Sequence, residues 1–221
     1  MHQATHISYG EGKVNIVLDT SSQMEVAAPD FRFGDYSEVV TSCFTQKELD
    51  RISQGESADL TFSFVMSDDI DDAALKNHLY DAVSESEKTL GMLHEGVFIS
   101  VSANKSFDDG QMVPVVNLQD EVDIQMDIPL YLVKEDRDYF FLTHNMGEDI
   151  LFTDASPDAD VLTIETDVIG DGVLLYQDSY ESKIDKSQKG FNISIQHVFV
   201  LGAVALIALW FAVDYMHRNN K

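Results

Sequence analysis

The most constraining feature of the sequence is an apolar run near its C-terminal end. Residues 198–213 read VFVLGAVALIALWFAV, without one polar side chain. Counted outward to Ile193 and Met216, the mostly apolar stretch would extend about 36 Å as a helix, enough to cross a hydrocarbon core of about 30 Å. The run is apolar on every face, whereas a surface helix of a soluble protein has a polar side. The sequence therefore predicts a transmembrane helix over 193–216, with a buried core helix as the alternative.

The charge balance excludes one large class of partner. The chain has 39 acidic and 14 basic residues, a formal net charge of −25 at pH 7, and every acidic residue except Asp214 precedes the apolar run. So acidic a surface repels nucleic acid and anionic lipid, and we expect no nucleic-acid partner. The single cysteine, Cys43, excludes an intrachain disulfide, so the fold depends on its core.

Targeting signals leave two interpretations open. The first thirty residues contain no apolar stretch of seven or more and no basic start, so the sequence as given predicts no signal peptide. Either the chain inserts by its tail, or it is the C-terminal part of a longer surface protein. Three lysines precede the apolar run and two basic residues follow it, a nearly balanced pattern that does not fix the orientation in a membrane.

Two helices are marked by the residues at their ends. Thr45 and Glu48 match a capping box, in which each side chain binds the backbone amide of the other residue. A second helix is predicted from about Asp72 to Leu90, because four aspartates at its start favour the positive end of a helix dipole. A glycine follows each predicted helix as a stop signal. These are folding signals and imply no chemistry.

Most of the remaining sequence has the period-two pattern of strands. The alternation is clearest at 122–128 and also present at 14–18 and 60–64, while 38–43 is a further short strand candidate. Strands spaced by about ten residues predict a β-sandwich. The predicted organisation is a β-rich N-terminal segment at 1–43, the sandwich at 44–178, a polar juxtamembrane linker at 179–192, the transmembrane helix at 193–216 and a short basic tail at 217–221.

Residues 44–178 resemble a membrane-proximal Ig-like domain found beside the C-terminal anchor of Gram-positive, especially clostridial, surface proteins. The resemblance follows the order of the segments FTQKELDRISQGESADLTFSF, DDIDDAALKNHLYDAV, GVFISVSANKS, EVDIQMDIP, YFFLTHNMGEDILF and VLTIETDVIGDGVLLYQD. The family's HDG motif is replaced here by residues 144–147, and no sortase signal precedes the apolar run. The resemblance implies an Ig-like β-sandwich with two short helices, acting as a stalk outside the cell without enzymatic activity.

The motifs of the common enzyme classes are absent from the sequence. It contains no nucleophile elbow, P-loop, dinucleotide fingerprint or HExxH motif. His144 precedes Glu148 and Asp149, a pattern compatible with a metal or acid–base site, although a surface-loop histidine is the simpler interpretation. Cys43 is interpreted as a small buried hydrophobic residue rather than a reactive thiol. We therefore predict no enzyme and assign no catalytic, cofactor-binding or metal-ligating residue.

Structural calcium is the one cofactor that the acidic residues suggest. Hard cations bind several oxygen ligands, and the candidate clusters are Asp68–Asp72, Asp108–Asp109 and Asp154–Asp160. None of these clusters has the spacing of an EF-hand. Helix capping explains the first cluster and a turn explains the second.

Two functions fit a membrane-tethered acidic β module. The first is a non-catalytic stalk or spacer of a bacterial surface protein, whose partners are the lipid bilayer and upstream domains of a longer chain, and it predicts a filled sandwich. The alternative is a membrane-tethered ligand-sensing or binding domain, which predicts a concave pocket with convergent polar groups. The expected location is a single-pass position in the cell membrane, with the domain outside and the C-terminus in the cytoplasm.

Overall fold

The computed structural model describes residues 1–108 and 110–182, together with the backbone of residues 192–194. The elements are, in chain order, β1 (His2–Tyr9), β2 (Gly12–Ser22), β3 (Phe31–Phe33), α1 (Tyr36–Cys43), α2 (Gln46–Ser53), β4 (Ser57–Ser67), α3 (Ala73–Leu90), β5 (His94–Phe107), β6 (Val113–Val115), β7 (Asn117–Asp127), β8 (Arg137–Asn145), β9 (Glu148–Thr153), β10 (Val161–Val168), β11 (Gly172–Asp178), a 3₁₀ turn (Ser179–Glu181) and β12 (Asn192–Ser194).

Nine strands form one large mixed sheet. Its order is β1-β2-β4-β5-β11-β8-β9-β12, and β6 pairs with β5 beside that path. β2 and β4 are parallel, with Ile16 opposite Leu60, and the other paired strands are antiparallel. A parallel pair needs a crossover connection, which here contains β3, α1 and α2. The N-terminal strands therefore share a sheet with strands from the 44–178 region.

A second sheet of three strands, in the order β10-β7-β3, packs against one face of the large sheet. Its central strand β7 covers residues 122–127 of the alternating 122–128 pattern, whose apolar members are buried. Phe31 of β3 stacks on Phe64 of β4, with ring centroids 4.0 Å apart. Aliphatic and aromatic side chains of both sheets, with the inner sides of α1 and α2, thus form the main core.

The crossover helices are held by side-chain caps and by one buried cation. Asp35 begins α1 by accepting a hydrogen bond from the Ser37 amide at 2.7 Å. The predicted capping box begins α2, and the Thr45 amide donates to Glu48 Oε2 at 2.7 Å. The buried Lys105 of β5 donates to the same Oε2 at 2.6 Å and to the last carbonyl of α1 at 2.9 Å. Lys105 therefore joins both helices to the large sheet.

α3 packs on the opposite face of the large sheet. Its fully buried Leu79 lies in a second apolar cluster, with side chains from β5, β8, β9 and β11. Side chains alternate along a strand, so β8 contributes to both faces: Tyr139 and Phe141 belong to the main core, and Phe140 and Leu142 to the α3 cluster. This part of the sheet is consequently buried on both sides.

The prediction of a mainly β fold is confirmed, but the predicted Ig-like sandwich with two short helices is wrong. The two predicted helices are present as α2 and α3, and α3 has 18 residues. The 38–43 segment, predicted as a strand, belongs to α1, because Asp35 caps a helix whose valines are buried in the core. The architecture is a nine-stranded mixed sheet with a three-stranded sheet on one face and α3 on the other.

The prediction of a C-terminal transmembrane helix is the second one that the structure corrects. Within the part of the chain that the structure describes, no helix combines the length and the apolar character needed to cross a membrane. Residues 192–194, where that helix is predicted to begin, form β12 and pair with β9, Ile193 lying opposite Leu151. A sheet edge has unpaired backbone groups, which an added strand satisfies. Residues 195–221, the rest of the predicted helix and the basic tail, lie outside the described residues, as do 183–191 of the predicted linker.

Candidate metal centre

Two histidines and an aspartate converge where α3 meets the β8–β9 hairpin. Asp149 Oδ1 lies 2.8 Å from His144 Nδ1 and 3.1 Å from His78 Nε2. The two imidazole rings lie beside each other, with centroids 4.1 Å apart and planes inclined at 64°. One potential ligand atom from each residue lies within 4.8 Å of the others. The group therefore has the composition and the spacing of a metal-binding cluster.

The β8–β9 hairpin positions two of the three side chains. His144 and Asp149 lie directly opposite each other in the antiparallel register, which brings their β-carbons within about 5 Å. Met146 and Gly147 connect the strands with φ angles of 51° and 88°, as in the type I′ turn that suits a tight hairpin. His144 is two residues after Leu142, so it projects from the same face of the sheet, toward α3.

α3 supplies the third side chain. The carboxylate of Asp72 begins this helix by accepting hydrogen bonds from the amides of Ala74 and Leu75, at 2.9 and 3.1 Å. Leu79 is fully buried against the sheet, and its burial fixes the rotation of the helix about its axis. His78, one residue earlier, consequently lies at the rim of the buried face, beside the hairpin.

The cluster is open to solvent on one side. The exposed fraction is 48 % for the His78 side chain, 24 % for His144 and 21 % for Asp149. Asp149 is hydrogen-bonded to His144 and faces His78 at 3.1 Å, so its carboxylate has partners without an ion. The same three side chains are also a His₂Asp ligand set, and zinc sites with three protein ligands leave a fourth position for water. The three side chains can therefore either pair with one another or bind a metal ion.

Sequence reasoning found only part of this cluster. It singled out His144 together with Glu148 and Asp149, and the structure joins His144 to Asp149. Glu148 is one residue before Asp149 on the same strand, so it points to the other face of the sheet and is not among the converging ligand atoms. His78 was missed, because nothing in the spacing of a helical histidine indicates which distant hairpin it will meet.

The acidic clusters considered for calcium serve local structure. Asp69 pairs with Lys76 at 2.6 Å, and Asp72 caps α3. Asp154 accepts hydrogen bonds from two backbone amides, at 2.8 and 2.9 Å, and so shapes the loop before β10. Asp109 lies outside the described residues. Over the described ranges, the His–Asp–His group is the one set of three or more such ligands that converges.

The buried Cys43 and its neighbours form a structural cluster rather than a nucleophilic one. Burial raises the pKa of the Cys43 thiol to about 12, although the positive charge of Lys105 acts in the opposite direction. A thiol with so high a pKa stays protonated at neutral pH and is a poor nucleophile. Burial also acts to raise the pKa of Glu48, but hydrogen bonds from Lys105 and Thr45 outweigh it and hold that pKa below its ordinary value.

The space between the two sheets is nearly filled. A cavity of about 30 Å³ remains there, lined by apolar side chains of both sheets such as Phe31, Ile99 and Phe141, and it has room for about one water molecule. A larger crevice of about 210 Å³ lies at the surface, between the start of β8 and the 154–159 loop. Arg137 in its lining is paired with a carboxylate of β11 at 3.0 Å.

Comparisons with protein-family models, with curated proteins and with solved structures found no match to this chain. The resemblance to the Gram-positive surface domain stays a prediction from the sequence. Function is therefore inferred from the chain's own residues, cavities and charge.

Proposed function

We propose that the β body is a non-catalytic spacer module of a bacterial cell-surface protein, held at a lipid bilayer through the apolar run at 198–213. The observation that carries this proposal is the small space, about 30 Å³, that remains between the two sheets over the described residues. A module that separates other parts of a protein from a membrane needs a well-packed core and no binding cavity.

The sizes of the cavities favour a spacer over a ligand-sensing domain. Pockets for small molecules usually have volumes of about 300–1,000 Å³ and bury most of the ligand. The cavity between the sheets, at about 30 Å³, is far below this range. The surface crevice of about 210 Å³ is open and smaller than the usual range, and its Arg137 is already paired. Neither of these two spaces has the size of a substrate or ligand site.

The charge of the chain favours a body that is held at a distance from the envelope rather than lying on it. The full chain has a net charge of −25, and every acidic residue except Asp214 precedes the apolar run. The body is therefore repelled by anionic lipid and by anionic envelope polymers. It therefore stays extended away from the surface to which it is attached. The apolar run provides the opposing attraction, since sixteen consecutive apolar side chains favour hydrocarbon over water.

Membrane attachment is tested by carbonate extraction of membranes from cells that express the chain. The wild-type chain is expected to stay in the membrane pellet, and a variant with Val204→Asp and Leu206→Asp is expected in the supernatant. A matched control places two aspartates on the body, Leu130→Asp and Met112→Asp, at side chains that are 91 % and 66 % exposed. The proposal is wrong if the wild-type chain is extracted as readily as the double variant in the run.

The side of the membrane is tested by adding a protease to intact cells. A body outside the cell is cleaved without permeabilisation, while a cytoplasmic marker protein stays intact. Protection of the body in intact cells, followed by cleavage after permeabilisation, would place it inside and contradict the surface location. If the body is cleaved in intact cells but carbonate extracts the chain, the location outside the cell is supported and attachment through the apolar run is contradicted.

A further inference from the structure

A spacer does not require the cluster of His78, His144 and Asp149. We propose that these three side chains bind one zinc ion, with solvent in the fourth position. The three ligands come from three different elements, α3, β8 and β9. An ion bound there would connect α3 to the β8–β9 hairpin on the outer face of the large sheet.

The positions of the ligand atoms are close to those that a tetrahedral zinc ion needs. Zinc–nitrogen and zinc–oxygen bonds of about 2.0–2.1 Å place neighbouring ligand atoms about 3.3 Å apart. Asp149 Oδ1 is already 2.8 Å from His144 Nδ1 and 3.1 Å from His78 Nε2. One potential ligand atom from each of the three residues lies within 4.8 Å of the others. To admit the ion, Asp149 Oδ1 would move away from the histidine nitrogens by a few tenths of an ångström. The two histidine nitrogens, one from each ring and within 4.8 Å of each other, would have to settle about 3.3 Å apart. The half-exposed His78 leaves one side open to a water ligand.

The types of ligand favour zinc over the common hard cations. Two imidazole nitrogens and one carboxylate oxygen form a typical zinc set, whereas magnesium and calcium are bound by oxygen atoms. Without an ion, His144 Nδ1 is hydrogen-bonded to Asp149 Oδ1 at 2.8 Å, and His78 Nε2 faces the same oxygen at 3.1 Å. A ring nitrogen whose N–H donates to a carboxylate has no lone pair for a metal. Hydrogen bonding and metal binding are therefore mutually exclusive states of the same three atoms.

The fixed backbone positions of the ligands support binding in preference to chance proximity. Two of them are cross-strand neighbours in a tight hairpin, and the third lies next to the fully buried Leu79. Ligands that are held in place before the ion arrives lose little conformational entropy on binding. Zinc bound to the folded chain alone would raise its melting temperature, by about 5–10 °C when free zinc exceeds the Kd 100-fold.

The test uses the full 221-residue chain, purified without a polyhistidine tag in a non-ionic detergent and stripped of metal with a chelator. Titration calorimetry with zinc chloride is expected to show one ion bound per chain, and magnesium or calcium chloride to show none. Cobalt(II) added to the stripped chain is expected to give the intense visible absorption of tetrahedral coordination, and zinc to remove it.

Three variants make the site assignment specific. His78→Gln and His144→Gln keep a side chain that can hydrogen-bond to Asp149 but remove a zinc ligand, so each is expected to weaken zinc binding at least tenfold. His2→Gln is the matched control, because His2 pairs with a single carboxylate, Asp19, at 2.6 Å on an edge strand. The control is expected to bind zinc as the wild-type chain does.

The proposal fails if zinc binds no more tightly than magnesium, which would leave a hydrogen-bonded cluster only. It also fails if His2→Gln loses as much affinity as His78→Gln, or if both cluster variants keep wild-type affinity. As a control for folding, the melting temperatures measured with chelator present must be similar for all the variants. His78 is half-exposed, so its replacement is expected to change the stability of the metal-free chain little. If His78→Gln fails this criterion, cobalt absorption and zinc stoichiometry of the wild-type chain decide the outcome.

Discussion

Lys105→Met is expected to destabilise the fold by about 2–3 kcal/mol at neutral pH. Lys105 is a buried cation whose Nζ donates to Glu48 Oε2 at 2.6 Å and to the carbonyl of Cys43 at 2.9 Å, and it lies 5.2 Å from the centre of the Phe44 ring. Methionine has a similar length and keeps the apolar contact with Phe44. The change therefore removes the charge and the hydrogen bonds with little loss of volume.

The magnitude follows from the environment of the pair. Removing one partner of a fully buried ion pair costs about 3–5 kcal/mol, because the other charge is left uncompensated. The Glu48 side chain is 21 % exposed and keeps hydrogen bonds from the amide and the hydroxyl of Thr45, at 2.7 and 2.8 Å. Its isolated charge is thus partly stabilised, which places the expected cost at or below the lower end of that range.

The cost should depend on pH in a defined direction. The pKa of Glu48 is lowered in the folded chain from its ordinary value of 4.5, so folding favours the ionised carboxylate. The stability contributed by the pair is complete above that ordinary value, and it is lost as the pH falls through the lowered pKa. The difference between wild type and Lys105→Met should consequently shrink as the pH is reduced below 4.5.

The assay is urea unfolding of the full chain in non-ionic detergent, followed by far-ultraviolet circular dichroism. Lys47→Met is the matched control: it removes the same charge from an exposed site on α2, and we expect a change within about 0.5 kcal/mol. A double-mutant cycle with Glu48→Gln, which keeps the capping geometry, should give a coupling energy of about 1–2 kcal/mol. The reasoning is refuted if Lys105→Met costs no more than the control, or if its cost is independent of pH.

Three further outcomes follow from the structure. Leu79→Ala, at a fully buried position of α3, should cost about 2–5 kcal/mol in the same urea assay, whereas Leu130→Ala at an exposed position should cost almost nothing. Cys43 should resist iodoacetamide at pH 8 in the native chain and react in about 8 M urea, because burial raises its pKa to about 12. Rapid labelling of the native chain would contradict that burial. Gly12→Ala should lower the urea midpoint strongly, since its Cβ would lie 2.1 and 2.3 Å from two backbone carbonyl oxygens; an unchanged midpoint would show that the β2 start can move.

The elements that sequence reasoning located correctly are those with local signals. The capping box at Thr45 and Glu48 begins α2, and the predicted helix from about Asp72 to Leu90 matches α3 closely. A cap is an interaction between residues three positions apart, so it can be read without knowledge of the fold. The alternation at 122–128 likewise predicts a strand with one buried face, as β7 has.

The errors arose where a local preference competed with packing. The segment at 38–43 contains adjacent β-branched residues, which favour strands. It is helical because Asp35 caps it and because Val39 and Val40 are fully buried in the main core. Asp35 and Glu38 are themselves spaced as an N-terminal helix signal, so this error was avoidable. The transmembrane helix was predicted from an apolar run, and β12 occupies its predicted start.

By itself, the sequence determined the mainly β character, the caps of α2 and α3, the acidic charge and the apolar run, because each depends on residue type or on neighbours within a few positions. Only the tertiary structure decided that β2 pairs in parallel with β4, that Lys105 binds Glu48, and that His78 meets Asp149. Backbone hydrogen bonds are the same for every strand, so the choice among partners comes from the collective packing of distant side chains on both faces of the sheet. That packing also brings two histidines and an aspartate together at one point on the surface.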